Sequence, residues 1–243
     1  MTRPCYYRGS IEFNDVKTVR QSFINANKKV TKWDSYFDVY ERWLQRYSGT
    51  SISLFEIGVC EGGSLLMWRD YLGKGAKVVG IDIEPSTKEI FKDNKEEIYV
   101  EIGDQSDNSF LSKIIDTHGA PDIVIDDGSH RRRDIWKSLQ FFLPRMKPGS
   151  VYLVEDLHGP FWDPSDPQSE VNSIYSDFLR IVHSLNAPGS RGTLTYNKEW
   201  SRVYSVSFYW SIAVIEVGRS PDQYSCVSNN GTNNLELITT VSC

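Results

Sequence analysis

The chain has 243 residues, a length that fits one domain of ordinary size around one core. A hydrophobic fraction of 40% beside 24% charged residues, with seven Trp, excludes a disordered or fibrous chain. The formal net charge of −5 argues against a nucleic-acid-binding surface, which needs clustered Lys and Arg.

The opening stretch from Met1 to Tyr7 has no apolar run after its charge and does not read as a secretory signal, and no apolar run is long enough to cross a bilayer. A cytoplasmic location without membrane contact is expected, and with it free thiols at Cys5, Cys60, Cys226 and Cys243, which show no CxxC spacing. Asn230-Gly231-Thr232 matches the glycosylation acceptor pattern, a chance match in that compartment.

Residues 1–50 read as a helical extension in which Trp33, Tyr36, Phe37, Tyr40, Trp43 and Leu44 recur three and four apart as a packing stripe. From Ser51 onward, short apolar runs alternate with helical patterns, the signature of a parallel sheet covered on both faces. Strands are predicted at 52–57, 77–82, 97–102, 122–126 and 150–154, with helices near 63–72, 108–117 and 132–143. The basic run Arg131-Arg132-Arg133 opens the last of these helices and reads as a solvated face in preference to an anion site.

After the Pro-rich stretch from Pro160 to Pro167 come a predicted helix near 169–185 and two β-rich runs, Val203 to Phe208 and Ile212 to Val217. Too few residues separate these runs for a crossover helix, so they should pair antiparallel. The expected fold class is α/β, a Rossmann-like doubly wound sheet ending in an antiparallel β-hairpin. The main domain covers 51–218, and a polar tail over 219–243 is expected to be loosely held or to touch a partner subunit.

In such a sheet, ligands bind beyond the carboxyl ends of the strands, and the first strand-to-helix turn is the usual cofactor contact. Here that turn runs Glu56-Ile57-Gly58-Val59-Cys60-Glu61-Gly62-Gly63-Ser64. Gly58 permits a tight turn, and Gly62 and Gly63 let a cofactor approach the backbone where Ser64 opens the helix. Cys60 stands where a dinucleotide fingerprint wants glycine, and Glu56 suits a positively charged cofactor better than a pyrophosphate. S-adenosylmethionine is such a cofactor. Asp82 ends the second strand, where an acid accepts from ribose hydroxyls, and Asp104 and Gln105 fall where an adenine edge would lie. The segment from Gly103 to Asp107 reads equally as a helix cap supplied by Ser106 or Asp107.

The fourth strand ends in Asp126-Asp127-Gly128-Ser129-His130 and the fifth in Glu155-Asp156-Leu157-His158. If these strands are neighbours, their ends lie about 4.8 Å apart. Asp127, Glu155 and Asp156 would then repel one another unless something positive sat between them, and hard oxygen ligands favour magnesium or a similar divalent ion. The alternative is that one or two of these acids cap helices or face water. His130, three residues beyond Asp127, is the candidate general base, with Asp127 beside it in the catalytic pair and His158 second. His118 and His183 stand in contexts with little to recommend them. Asp126 joins Glu56, Gly58, Gly62, Ser64, Asp82, Asp104 and Gln105 among the candidate cofactor contacts. Phe161 and Trp162 read either as a lid over an acceptor or as packing.

The strings EIGVCEGGS, GDQSD, DDGSH, VEDLH and FYWSIAVIE resemble the methyltransferases that modify deoxysugars of macrolide antibiotics, and the related cephalosporin hydroxylase-like family, over roughly residues 31 to 218. The resemblance implies an S-adenosylmethionine- and magnesium-dependent O-methyltransferase. It implies magnesium on Asp127, Glu155 and Asp156, His130 as base, and cofactor contacts that include Lys32, Tyr36 and Tyr40. Its acceptor would be a hydroxyl of a glycosylated small molecule, and family members commonly form homo-oligomers. Two other classes are weighed beside it: a binding or accessory protein that keeps the pocket without chemistry, and an NAD-dependent oxidoreductase, which Cys60 disfavours.

Overall fold

The computed structural model describes residues 17–92, 97–162 and 173–218, together with the backbone of strands over 224–229 and 232–237. Two short helices, α1 (Val19–Asn25) and α2 (Tyr36–Leu44), precede an alternating series. That series runs β1 (Ser53–Ile57), α3 (Gly63–Leu72), β2 (Lys77–Asp82), α4 (Ser86–Glu89), β3 (Ile98–Ile102), α5 (Asn108–His118), β4 (Ile123–Asp126), α6 (Arg132–Phe142) and β5 (Val151–Val154). Then come α7 (Ile174–Asn186), β6 (Val203–Phe208), β7 (Ala213–Val217), β8 (Tyr224–Asn229) and β9 (Thr232–Leu237).

One seven-stranded sheet has the order β3-β2-β1-β4-β5-β7-β6. Its first five strands pair in parallel, and β7 joins β5 antiparallel and carries β6 on its outer edge. The order reverses between β1 and β4, which places the crevice of a doubly wound sheet beyond Ile57 and Asp126. The expected parallel sheet with a closing antiparallel pair is present, with strand limits within a residue of those predicted.

The central strands are buried on both faces because successive side chains alternate between two cores. Leu54, Val78, Ile123, Ile125, Val151 and Leu153 pack toward α1, α2 and α3. Phe55, Val79, Ile81, Val124, Tyr152 and Val154 pack toward α5, α6 and α7. Local signals set the helix starts. Asp107 accepts from the N–H groups of Ser109 and Phe110 at the head of α5, and Ser173 and Ser176 form a reciprocal capping box at the head of α7.

Two expectations are corrected, and one pair of strands was not foreseen. Trp33 lies outside α2 and is 47% exposed, so the packing stripe begins at Tyr36. The polar tail contains the antiparallel pair β8 and β9, paired from Tyr224↔Leu237 to Asn229↔Thr232. Arg132 in the basic run is not simply solvated, because its guanidinium binds both oxygens of buried Asp177 at 2.7 and 3.0 Å and ties α6 to α7. Residues 169–172 of the predicted helix, Cys5, Cys243, the side chain of Cys226, and Asn230 and Gly231 lie outside the described residues; Cys60 is free and exposed. Among the described residues no helix is long and apolar enough to cross a membrane.

A buried polar network fixes the sheet's carboxyl edge. Asp126, at the end of β4, accepts from Gln105 at 3.0 Å, from Ser138 of α6 at 2.6 Å and from the Tyr152 hydroxyl of β5 at 2.8 Å. Burial raises the Asp126 pKa, and these three donors pull it back. Tyr152→Phe removes one donor to a buried carboxylate and should cost about 1.5–3 kcal/mol in chemical denaturation. An unchanged midpoint would show that the Tyr152 hydroxyl carries no share of the network.

Candidate active site

The β1–α3 turn depends on two glycines. Gly58 has φ +93° and passes so close to β4's end that a Cβ would lie 2.2 Å from the Asp127 carbonyl oxygen. A Cβ on Gly63 would lie 2.2 Å from the Lys29 carbonyl oxygen, so the segment before α2 rests directly on the head of α3. Asp82 holds the turn between them, accepting from the N–H groups of Val59 at 2.7 Å and Cys60 at 3.1 Å.

A cavity of about 630 Å³ opens beyond these ends, within the range of small-molecule sites. Its wall includes Lys32, Gly58, Ser64, Asp82, Asp104, Gln105, Asp127 and His130 from the expected set. Ile57, Val59, Ile81 and Ile83 supply apolar surface, and Ile83, one residue past Asp82, is 71% exposed. Sequence reading passed over Ile83; its signal was an isolated apolar residue directly after the strand-terminal acid. The Gln105 amide already serves Asp126 and accepts from the Ser129 N–H at 2.9 Å, so it braces the wall. Gly62 caps α3 with the Phe91 ring packed beside it and does not line the cavity.

Glu56, Tyr40 and Asp126 do not reach the cavity either. They are essentially fully buried behind it, because each completes a polar contact inside the core. Lys32 explains two of them. Its ammonium donates to Asp127 Oδ2 at 2.7 Å, Glu155 Oε2 at 2.9 Å and Glu56 Oε1 at 3.3 Å, so three donors meet three carboxylates. The Tyr40 hydroxyl donates to the other Glu155 oxygen at 2.7 Å. Burial by itself would lower the Lys32 pKa, but Asp127, Glu155, Tyr40 and Glu56 outweigh it and hold it well above its ordinary value. Burial raises the carboxyls of Glu155 and Glu56, and the Lys32 charge opposes both shifts.

Asp156 is held from the other side. Its Oδ1 accepts from the Trp33 indole at 3.0 Å and from the Tyr36 hydroxyl at 2.7 Å, and its N–H donates back to that hydroxyl at 3.0 Å. Burial and this carboxylate push the Tyr36 pKa upward. With Asp127 Oδ2 and Asp156 Oδ1 engaged, Asp127 Oδ1 and Asp156 Oδ2 face His130 Nε2 at 3.9 and 3.8 Å. Asp127, His130 and Asp156 each offer one ligand atom, all within 4.8 Å of one another, a mixed oxygen and nitrogen set that fits a divalent cation. Glu155, the third expected ligand, is turned to Lys32 and Tyr40; the positive charge expected between the acids is, for Glu155, an ammonium. His130 and Asp156 both hold left-handed backbone, φ +54° and +51°, a strain that clusters at functional positions.

A second cavity of about 230 Å³ shares Thr31, Lys32 and Asp127 with the first and adds Trp33, Tyr36, Glu155 and Asp156. His158 lines neither; its ring is packed against Trp33, Trp162 and Trp210 and its Nδ1 is bonded to the Ser211 hydroxyl. His118 is bonded to Glu101 at 2.9 Å, away from the site.

Residues 55–157, the span that carries the glycine turn and both acidic strand ends, match the family model described as a methyltransferase domain. Over that span the chain is similar to methyltransferases. It is 32% identical over 164 residues to the demethylmacrocin O-methyltransferase of Streptomyces fradiae, covering 63% of this chain and 40% of that protein. It is 28% identical over 198 residues to the mycinamicin VI 2''-O-methyltransferase of Micromonospora griseorubida, covering 75% and 48%. The chain therefore spans less than half the length of these curated relatives. Among solved structures, the MycE methyltransferase of the mycinamycin pathway, in complex with Mg, SAH and mycinamycin VI, superposes with a TM-score of 0.70 at 24% identity. That likeness covers 85% of this chain and 54% of the other, and identifies the fold as that of a class I methyltransferase.

The Lys32 cluster yields a stability test. Lys32→Met leaves buried carboxylates without their counter-charge and should cost about 3–5 kcal/mol near neutral pH. Without Lys32 the carboxyl pKa values rise further in the folded state, so the folded variant binds more protons than the unfolded chain and loses stability as pH rises. Denaturation should show a larger deficit at about pH 8 than at about pH 5; an equal deficit at both would mean that the carboxylates do not feel the ammonium.

Proposed function

We propose that the chain transfers a methyl group from S-adenosylmethionine to a hydroxyl of a glycosylated small molecule, with a divalent cation at Asp127 and Asp156 and His130 as the proton acceptor. The observation that carries this reading is the convergence of Asp127 Oδ1, Asp156 Oδ2 and His130 Nε2 where the larger cavity meets the smaller. The names of the relatives, O-methyltransferases of demethylmacrocin, mycinamicin VI and a rhamnosyl tetracenomycin, support the choice of acceptor.

The larger cavity fits the donor, with Asp82 and Asp104 as acceptors for polar groups and Ile57, Ile81 and Ile83 as apolar wall. When bound, S-adenosylmethionine supplies a methyl carbon whose bond to sulfur breaks, leaving the pair on sulfur, as the acceptor oxygen bonds to it, and the cation supplies positive charge beside that oxygen. His130 takes the hydroxyl proton at Nε2. Asp127 and Asp156 hold their inward oxygens in place because Lys32, Tyr36 and Trp33 occupy the outward ones. Positioning of this kind accounts for much of the acceleration in two-substrate reactions.

The same distances favour a second reading in which His130 is a third cation ligand. His130→Ala separates them. As base, its loss should lower turnover on glycosylated acceptors roughly 10²–10⁴-fold while magnesium affinity, read by calorimetry, holds. A matching fall in magnesium affinity assigns His130 to the cation, and undiminished turnover removes it from the chemistry. Calorimetry with S-adenosylmethionine and with NAD, each with and without magnesium, checks the donor: binding of NAD alone would overturn the reading.

A further inference from the structure

Three indoles from three separate segments meet beside the smaller cavity. Trp33 precedes α2, Trp162 follows β5, and Trp210 sits in the β6–β7 turn. They are 47%, 64% and 57% exposed. His158 lies among them, with ring centroids 5.7 Å from Trp33, 4.7 Å from Trp162 and 5.7 Å from Trp210, and Trp33 lies 5.0 Å from Trp210.

The group is built on fixed supports. The Ser211 hydroxyl holds His158 through its Nδ1 and accepts from its backbone N–H, and the Trp33 indole N–H is bonded to Asp156. Large aromatic side chains fixed in place and left half-exposed form the kind of apolar patch that marks a binding surface. Trp33 belongs both to this patch and to the wall of the smaller cavity, so the patch is continuous with Asp127 and Asp156. Ring orientation selects the occupant. Trp33 meets Trp210 at 74° and His158 meets Trp162 at 69°, which makes a cornered cup and not a pair of parallel walls. A flat polycycle would lie on one ring only. A pyranose chair is thick, presents C–H groups to the electron-rich indole faces, and carries hydroxyls on its rim toward the carboxylates.

We propose that Trp33, Trp162, Trp210 and His158 form the subsite that grips the sugar ring of the acceptor and sets which hydroxyl reaches His130. This rests on the methyl-transfer reading above for its substrate class. Trp162 and Trp210 touch neither carboxylate nor donor cavity, so they are the specificity residues to alter.

The test is saturation-transfer NMR of methyl α-L-rhamnopyranoside with the whole chain, magnesium and S-adenosylhomocysteine, in the unaltered protein and in Trp162→Ala and Trp210→Ala. Calorimetry of S-adenosylhomocysteine and melting curves accompany each variant. Expected are transfer to ring C–H protons and sugar affinity about tenfold weaker in each variant, with nucleoside affinity and melting retained. No transfer in the unaltered protein, or sugar affinity kept in both variants, overturns the subsite. Tryptophan-dependent binding of tetramethylammonium in place of the glycoside overturns it in favour of a cation cage. The nucleoside titration separates the two ideas: if S-adenosylhomocysteine fails to bind the unaltered protein, the methyl-transfer reading falls, whereas its binding without a tryptophan-dependent sugar signal removes the subsite alone.

Discussion

The buried ammonium of Lys32 is the constraint on which the site depends. Glu56, Asp127 and Glu155 end three neighbouring stretches of backbone at one edge of the sheet, and without a positive charge among them burial and mutual repulsion would drive them to take protons or move apart. At an effective dielectric of about 20, two opposite charges some 4 Å apart attract by about 4 kcal/mol, which offsets the cost of taking the ammonium out of water. That residue brings its segment with it, so the chain before α2 lies on the head of α3 at Gly63 and the mouth of the cavity gains Lys29 and Thr31.

This arrangement divides the oxygens of Asp127 and Asp156 between two sets of contacts. Asp127 gives one oxygen to Lys32 and Asp156 gives one to Trp33 and Tyr36, which leaves each with a single inward oxygen beside His130. Glu155 accepts from Lys32 on one oxygen and from Tyr40 on the other. The left-handed backbone at His130 and Asp156 is the local cost of pointing both residues inward, and the packed loops around them sustain it, with Gly159 the close neighbour that leaves room for the His130 side chain.

Much of the fold was legible because two periodicities and two kinds of turn encode it. Runs such as Ser53 to Ile57 and Lys77 to Asp82 are apolar enough to be buried on both sides, and the glycines after β1 mark where the backbone must be approached closely. The acids at the strand ends were legible for the same reason, since a strand's last residue is found by its pattern. What periodicity does not encode is the partner of a charge more than a hundred residues away. Lys32 was placed near the cofactor by resemblance, but nothing in its neighbourhood shows that it answers Glu155. Trp33 sits at helical spacing from Tyr36 and Phe37, yet the helix starts after it, and its indole is bonded to Asp156, a contact that no local rule contains. The pair β8 and β9 lies in a stretch rich in Ser and Asn, a composition that reads as a loosely held tail more readily than as a strand pair.

The contacts that complete the site are also among the longest in sequence. Lys32 and Glu155 are 123 residues apart, Tyr36 and Asp156 are 120, and Tyr36 and the Ser211 carbonyl are 175. Closing such loops costs chain entropy before any contact rewards it, so pairings of this range tend to form late in folding. On the ribosome the segment bearing Lys32 and Tyr36 is made well before β5, so its contacts with Glu155 and Asp156 wait for that strand. This edge of the sheet is thus a register of completed folding: a chain arrested before β5 docks would lack Glu155 and Asp156 beside Asp127.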